Sequence, residues 1–97
     1  MKREDFVFTI GYQGETAVID ARARKKYRSL STMELAERGL YGQAFRSAIY
    51  SGSEEEMQQL LEFFRTATSL PAESEASVKR LFGVYDVPEG IEKTLAV

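Results

Sequence analysis

The stretch "FVFTIGYQGETAVID", Phe6 to Asp20, constrains the fold more than any other part of the chain. Phe6–Ile10 and Thr16–Asp20 are short runs of β-branched and aromatic residues, and "GYQGE" between them carries two glycines able to take positive φ. The pattern predicts an antiparallel β-hairpin with Gly11–Glu15 as its loop. Alternation along the first strand would put Phe6, Phe8 and Ile10 on one face. A lone two-stranded hairpin is marginal in water, so that face has to be covered, either by the rest of the chain or by a second copy pairing edge to edge.

The remaining sequence supplies helices to cover it. Ser31-Thr-Met-Glu34 has the capping-box pattern, with Met33, Ala36 and Leu40 following at helical spacing and Gly39 as the stop. A second helix is expected from about residue 42, with Ala44, Phe45, Ala48 and Ile49 as its apolar stripe and Gly52 as its end. Ser53-Glu-Glu-Glu56 repeats the capping-box pattern and opens the clearest helix, with Met57, Leu60, Leu61 and Phe64 on one face. Pro71 can start a last helix over about 72–85, where Val78, Leu81, Phe82 and Tyr85 recur at i, i+3, i+4 and i+7. Pro88 and Gly90 then interrupt regularity. The fold class expected is α+β: an N-terminal two-stranded antiparallel hairpin packed on a bundle of three to four short helices. Residues 1–90 read as one domain and 91–97 as a C-terminal tail, in which 94–97 could add a short strand.

Between hairpin and bundle lies the most unusual local composition, "ARARKKYR". Arg22, Arg24, Lys25, Lys26 and Arg28 are cationic within seven residues, although the formal net charge of the chain is −2. As a strand, the segment would place Arg22, Arg24, Lys26 and Arg28 on one side. As a helix it has Asp20 as a suitable N-cap, good helix formers throughout, and a mild like-charge penalty at i,i+4. Helix is the slightly favoured reading. Functionally these cations, with Tyr27 available to stack on a base, are candidate anion- or nucleic-acid-binding residues. The plainer reading is a solvated face balanced in part by Glu54, Glu55 or Glu56.

Glu34-Leu35-Ala36, then Gly39-Leu40, then Ala44, Phe45 and Ile49, give Ser31–Ile49 a pattern that resembles the helix-turn-helix of DNA-binding regulators. The resemblance covers about a fifth of the chain and implies nucleic-acid binding through the second helix. Only two residues separate Ala36 from Gly39 where that motif has three, a difference that turns the second helix by about 100°. Tyr41 and Gly42 stand where an N-cap is expected. A packed helical hairpin is the alternative reading of the same residues.

Other chemistries find little support. The chain has no cysteine and no histidine, which excludes disulfides and thiolate metal sites and removes the commonest general base. Three consecutive glutamates at 54–56 point about 100° apart on a helix and suit its N-terminal dipole better than one ion. The glycine loop lacks both phosphate-cradling spacings and sits between strands. No catalytic serine motif appears, and neither a cofactor nor a metal is expected. No apolar run is long enough to span a bilayer, and the start "MKREDF" does not look like a signal peptide, so a cytoplasmic protein is expected.

Charge is asymmetric. Residues 1–48 hold nine Lys/Arg and six Asp/Glu, whereas residues 49–97 hold four and nine. A dipolar chain of this kind suits a protein partner or self-association. The function expected is therefore a non-catalytic protein-protein interaction or regulatory module. The alternative is nucleic-acid or polyanion binding through residues 22–28 with a degenerate helix-turn-helix at 31–49.

Overall fold

The computed structural model describes residues 1–70, 74–84 and 86–97. Among them the chain forms six helices and three strands: α1 (Arg3–Val7), β1 (Thr9–Gln13), β2 (Thr16–Ile19), α2 (Ala21–Tyr27), α3 (Thr32–Glu37), α4 (Tyr41–Ser51), α5 (Glu54–Thr68), α6 (Glu75–Phe82) and β3 (Lys93–Ala96). The α+β class and the N-terminal antiparallel hairpin are as expected from sequence.

The hairpin nevertheless begins three residues later than alternation suggested. Phe6 and Val7 belong to a helical turn that has Glu4 and Asp5 at its start, where carboxylates suit the dipole. Phe6, Val7 and Phe8 are all buried, which a one-sided strand cannot achieve but a helical turn running into a strand can. Gly11 lies within β1, and the loop contracts to Gly14–Glu15. Gly14 has φ +59°, the sign that so short a hairpin loop demands. Ile10, expected to share the buried face, is instead 63% exposed.

A β-bulge explains that exposure. Thr9 pairs with Ile19 and Gly11 with Val18, so Ile10 is an extra residue on β1. Beyond the bulge Tyr12 pairs with Ala17. Residues directly opposite in an antiparallel pair share a face, and Ala17 and Ile19 are fully buried. Thr9 and Tyr12, three positions apart, are thereby both aimed toward the helical side.

β3 pairs with the other edge of β2, in parallel, Thr16 opposite Lys93 through Ile19 opposite Ala96. The sheet order is β1-β2-β3. Parallel neighbours require a crossover, and here it carries helices α2 to α6. Residues 93–96, inside the segment expected as a tail, are thus part of the sheet.

Helix ends follow local chemistry. Asp20 caps α2 by accepting from the Ala23 N–H, which settles the basic segment as helix. Ser31 and Glu34 form the reciprocal capping box of α3. Ser53 caps α5 through the Glu56 N–H, but the Glu56 carboxylate accepts from the Ser51 hydroxyl, so that box is only half formed. Gly52 ends α4 at φ +69°. A capping box from Ser74 and Ser77 starts α6; Pro71, expected to initiate this helix, and Tyr85, expected on its stripe, lie outside the described residues.

The core joins Phe8, Ala17 and Ile19 of the sheet region to Leu35 and Ala36 of α3, Ala44, Phe45 and Ala48 of α4, and Met57, Leu60, Leu61 and Phe64 of α5. Leu35, not Met33, fills the α3 position. Phe45, Phe64 and Phe82 meet mutually at 5.5–5.6 Å between ring centroids, two of the three contacts edge to face. α4 is the central element, packed against α1, α3 and α5. No helix among the described residues is long and apolar enough to cross a membrane.

Candidate functional site

α2 sorts the basic stretch into three groups. Ala23 and Tyr27 turn inward onto the core. Arg24 and Arg28, one turn apart, lean toward α1: the Arg24 guanidinium is 2.6 Å from the Asp5 carboxylate, and Arg28 is 4.0 Å from Glu4. Arg22, Lys25 and Lys26, at i, i+3 and i+4, form the outer stripe. Among the described residues Arg22 and Lys25 make no ion pair, and Lys26 lies 5.2 Å from the centre of the Tyr27 ring. The acids that meet the stretch come from α1, whereas Glu54–Glu56 had been expected. Tyr27, half-buried and packed, presents one ring face to Lys26. Three of the six candidate residues thus remain available to an anion on one exposed ridge.

The helix-turn-helix resemblance meets a geometric obstacle. A recognition helix presents its N-terminal residues to base edges. In α4 every residue from Tyr41 to Ile49 is buried or half-buried, and Tyr41 packs edge to face on Phe64 at 5.0 Å. α3 and α4 form a packed helical hairpin in the middle of the bundle.

A second site lies where the bulge aims β1 at α4, and sequence reasoning missed it. Phe6, Thr9, Ile10, Tyr12, Arg46 and Val84 are among the residues lining a cleft of about 220 Å³ along β1. β1 is an outer strand, with its far edge unpaired among the described residues. Ile10 and Tyr12 are exposed on its rim, at 63% and 44%.

Arg46 is half-buried in this cleft and, among the described residues, makes neither a hydrogen bond nor an ion pair. Its withdrawal from water pulls the guanidinium pKa below the usual arginine value, opposed by the neighbouring Tyr12 oxygen. The Tyr12 phenol is pushed up, chiefly by burial, against the opposing effects of the Thr9 hydroxyl and the Arg46 charge. The Thr9 hydroxyl itself donates to the Asp5 carbonyl, which fixes it at the cleft floor. Apart from Arg46, no charged side chain among the described residues lines the cleft. Gly11, read from sequence as the first loop residue, lies inside β1, and a glycine inside a strand is a local signal of a bulge. Nothing in the sequence separated Arg46 from any other polar residue on a helix.

Two other hollows lie elsewhere on the described surface. One, lined by serines, is organised by Arg3, whose guanidinium donates to Ser47 Oγ at 2.8 Å and to the carbonyls of Leu30 and Arg28 at 2.8 and 3.3 Å. Those donors tie α1 to α4 and to the α2–α3 connection. The other is a shallow groove between Met33 and Phe63. No group of three or more carboxylates converges as a metal site among the described residues.

Comparison with family models, curated proteins and solved structures finds no match to this chain.

Proposed function

We propose that this domain is a non-catalytic interaction module that engages a protein partner by strand addition at the outer edge of β1. The observation that carries this reading is the open edge itself. β1 offers unpaired main-chain groups, and Ile10 and Tyr12 are exposed beside a preformed cleft. Folded proteins usually blunt such edges with charge or proline; β1, "TIGYQ", has neither, though it carries a bulge. Strand addition uses such an edge for affinity and side-chain pockets for selection.

Titration of the isotope-labelled protein with a capped neutral Thr-Val-Gln-Val-Thr peptide tests the reading. Amide shifts centred on Thr9–Gln13 are the expected result, and Ile10→Lys should abolish them. An unperturbed β1 at millimolar peptide would dispose of strand addition. Self-association through the same edge would appear in sedimentation as a concentration-dependent dimer that Ile10→Lys returns to monomer.

A second reading, polyanion binding, is favoured by one specific observation: Arg22, Lys25 and Lys26 stand together on the outer ridge of α2, exposed and with no ion pair among the described residues. It is the weaker reading, because two of the five cations in that stretch are engaged by Asp5 and Glu4.

A further inference from the structure

We propose that the cleft beside β1 is a carboxylate-recognition site. The strand that adds to β1 places an Asp or Glu side chain against the Arg46 guanidinium. The proposal rests on the strand-addition reading and gives its partner a chemical identity: an extended acidic segment of another protein.

Three observations on the same few residues converge. The guanidinium of Arg46 has lost part of its hydration and, among the described residues, has gained no partner in exchange. A charge so placed is costly until an opposite charge arrives, and a planar guanidinium fork matches a carboxylate in two-point geometry. Second, among the described residues Arg46 brings the only charge to the lining, and none of the described acids lines the cleft. Third, the bulge turns Tyr12 to the same wall, adding a hydroxyl donor near the guanidinium. Phe6 and Val84 supply apolar walls for the methylene stem of a glutamate.

Geometry favours a strand over a free small anion. The cleft runs along Thr9–Tyr12, and side chains of an added strand alternate between faces, so every second one points to the helical side where Arg46 lies. An extended segment therefore delivers a carboxylate into the cleft while its backbone occupies the edge. A nucleic-acid strand would meet the apolar rim of Ile10 and a single cation, a poor counterpart for a run of phosphates.

The test compares two capped pentapeptides, Thr-Val-Glu-Val-Thr and Thr-Val-Gln-Val-Thr, with sodium acetate as the carboxylate alone, read by amide shifts and by the Arg46 Nε–H signal. The expected result is at least ten-fold tighter binding of the glutamate peptide, with shifts in Thr9–Gln13 and at Arg46. Arg46→Gln should equalise the two peptides without weakening the glutamine one, and Arg46→Lys should restore part of the preference. The comparison of peptides on the unaltered protein stands even if a variant folds poorly. Equal binding of both peptides at β1 would overturn carboxylate recognition and leave strand addition intact. Shifts at Arg46 from acetate as strong as those from the glutamate peptide, with β1 silent, would overturn the peptide occupant. No shift from any probe would remove both proposals.

Discussion

The Arg24 guanidinium lies 2.6 Å from the Asp5 carboxylate and fastens α2 to α1 across nineteen positions of sequence. Arg24 sits mid-way along the most basic run of the chain, yet it is committed to the fold. With side chains 28% and 13% exposed, the pair falls between the exposed and buried limits. Asp5→Asn is therefore expected to cost about 1–2 kcal/mol, between the near-zero value of surface pairs and the larger loss on breaking buried ones. Urea denaturation of the two single variants and the double variant Asp5→Asn/Arg24→Gln checks it. A coupling energy indistinguishable from zero would show that the contact does not hold the helices together.

The same sorting of cations gives the polyanion reading a sharp expectation. If Arg22, Lys25 and Lys26 each neutralise one phosphate, the slope of log K against log salt should be about −2 to −3. All five cations acting together would give a slope steeper than −4. Lys26→Glu should weaken retention on heparin more than Arg24→Gln does, because Arg24 already faces Asp5. Equal losses, or no retention at low salt, would retire the α2 ridge as a binding surface.

The parts of this fold legible in sequence are those decided within a few residues. Ser31 with Glu34, Asp20 ahead of "ARARKKY", and Gly52 all act on neighbouring backbone groups, so their roles can be read locally. The five-residue α1 could not be read that way. Its helical form depends on burying Phe6 and Val7 together, and its residues otherwise suit a strand. The bulge at Ile10 escaped for a related reason: period-2 alternation assumes an unbroken register, and one inserted residue reverses every facing beyond it. The candidate site suffered most. Asp5 as the partner of Arg24, and Arg46 as a cation with no ion pair among the described residues, are facts about which helices meet.

Titration gives an alkaline signature. The folded-state pKa of Tyr12 is raised above its ordinary value of 10.0, so the unfolded chain loses that proton first. Stability contributed by the neutral phenol is full below about pH 10 and falls as pH rises toward the higher folded value. Lys79 is also raised above its ordinary 10.5, chiefly by its hydrogen bond with Asp86, and its contribution falls in the same direction just above that pH. Tyr12→Phe should flatten the decline that begins near pH 10, and Asp86→Asn the part above it. Thermal midpoints recorded from pH 8 to 11.5 separate the two. An unchanged profile in Tyr12→Phe would mean that the phenol is solvated.

At the acid end the capping box of α3 should be visible. Ser31 holds Glu34 below its usual value, through the backbone N–H first and the hydroxyl second. A lowered carboxylate contributes stability above its ordinary pKa of 4.5, lost as pH falls through the folded value. Ser31→Ala removes the acceptor for the Glu34 N–H and should cost about 1 kcal/mol at neutral pH. Glu34→Gln keeps the capping geometry but should remove the acid-side dependence. Denaturation midpoints at pH 3 and pH 7 decide the point, and a Ser31→Ala variant of full stability would argue against the cap.

Neighbours on α4 should respond in opposite ways to truncation, because one belongs to the core and the other to the cleft. Phe45 is fully buried and meets Phe64 and Phe82, so Phe45→Ala should lose about 3–5 kcal/mol. Arg46 is half-buried with no partner for its charge among the described residues. Arg46→Met keeps the unbranched stem against the cleft wall and deletes only the desolvated cation, so the denaturation midpoint should hold or rise. If the cleft exists to receive a carboxylate, that gain in stability comes with loss of the preference for the glutamate peptide, the exchange expected where a site is strained for binding. A marked fall in midpoint for Arg46→Met would identify the guanidinium as a structural element, and the carboxylate proposal would lose its physical basis.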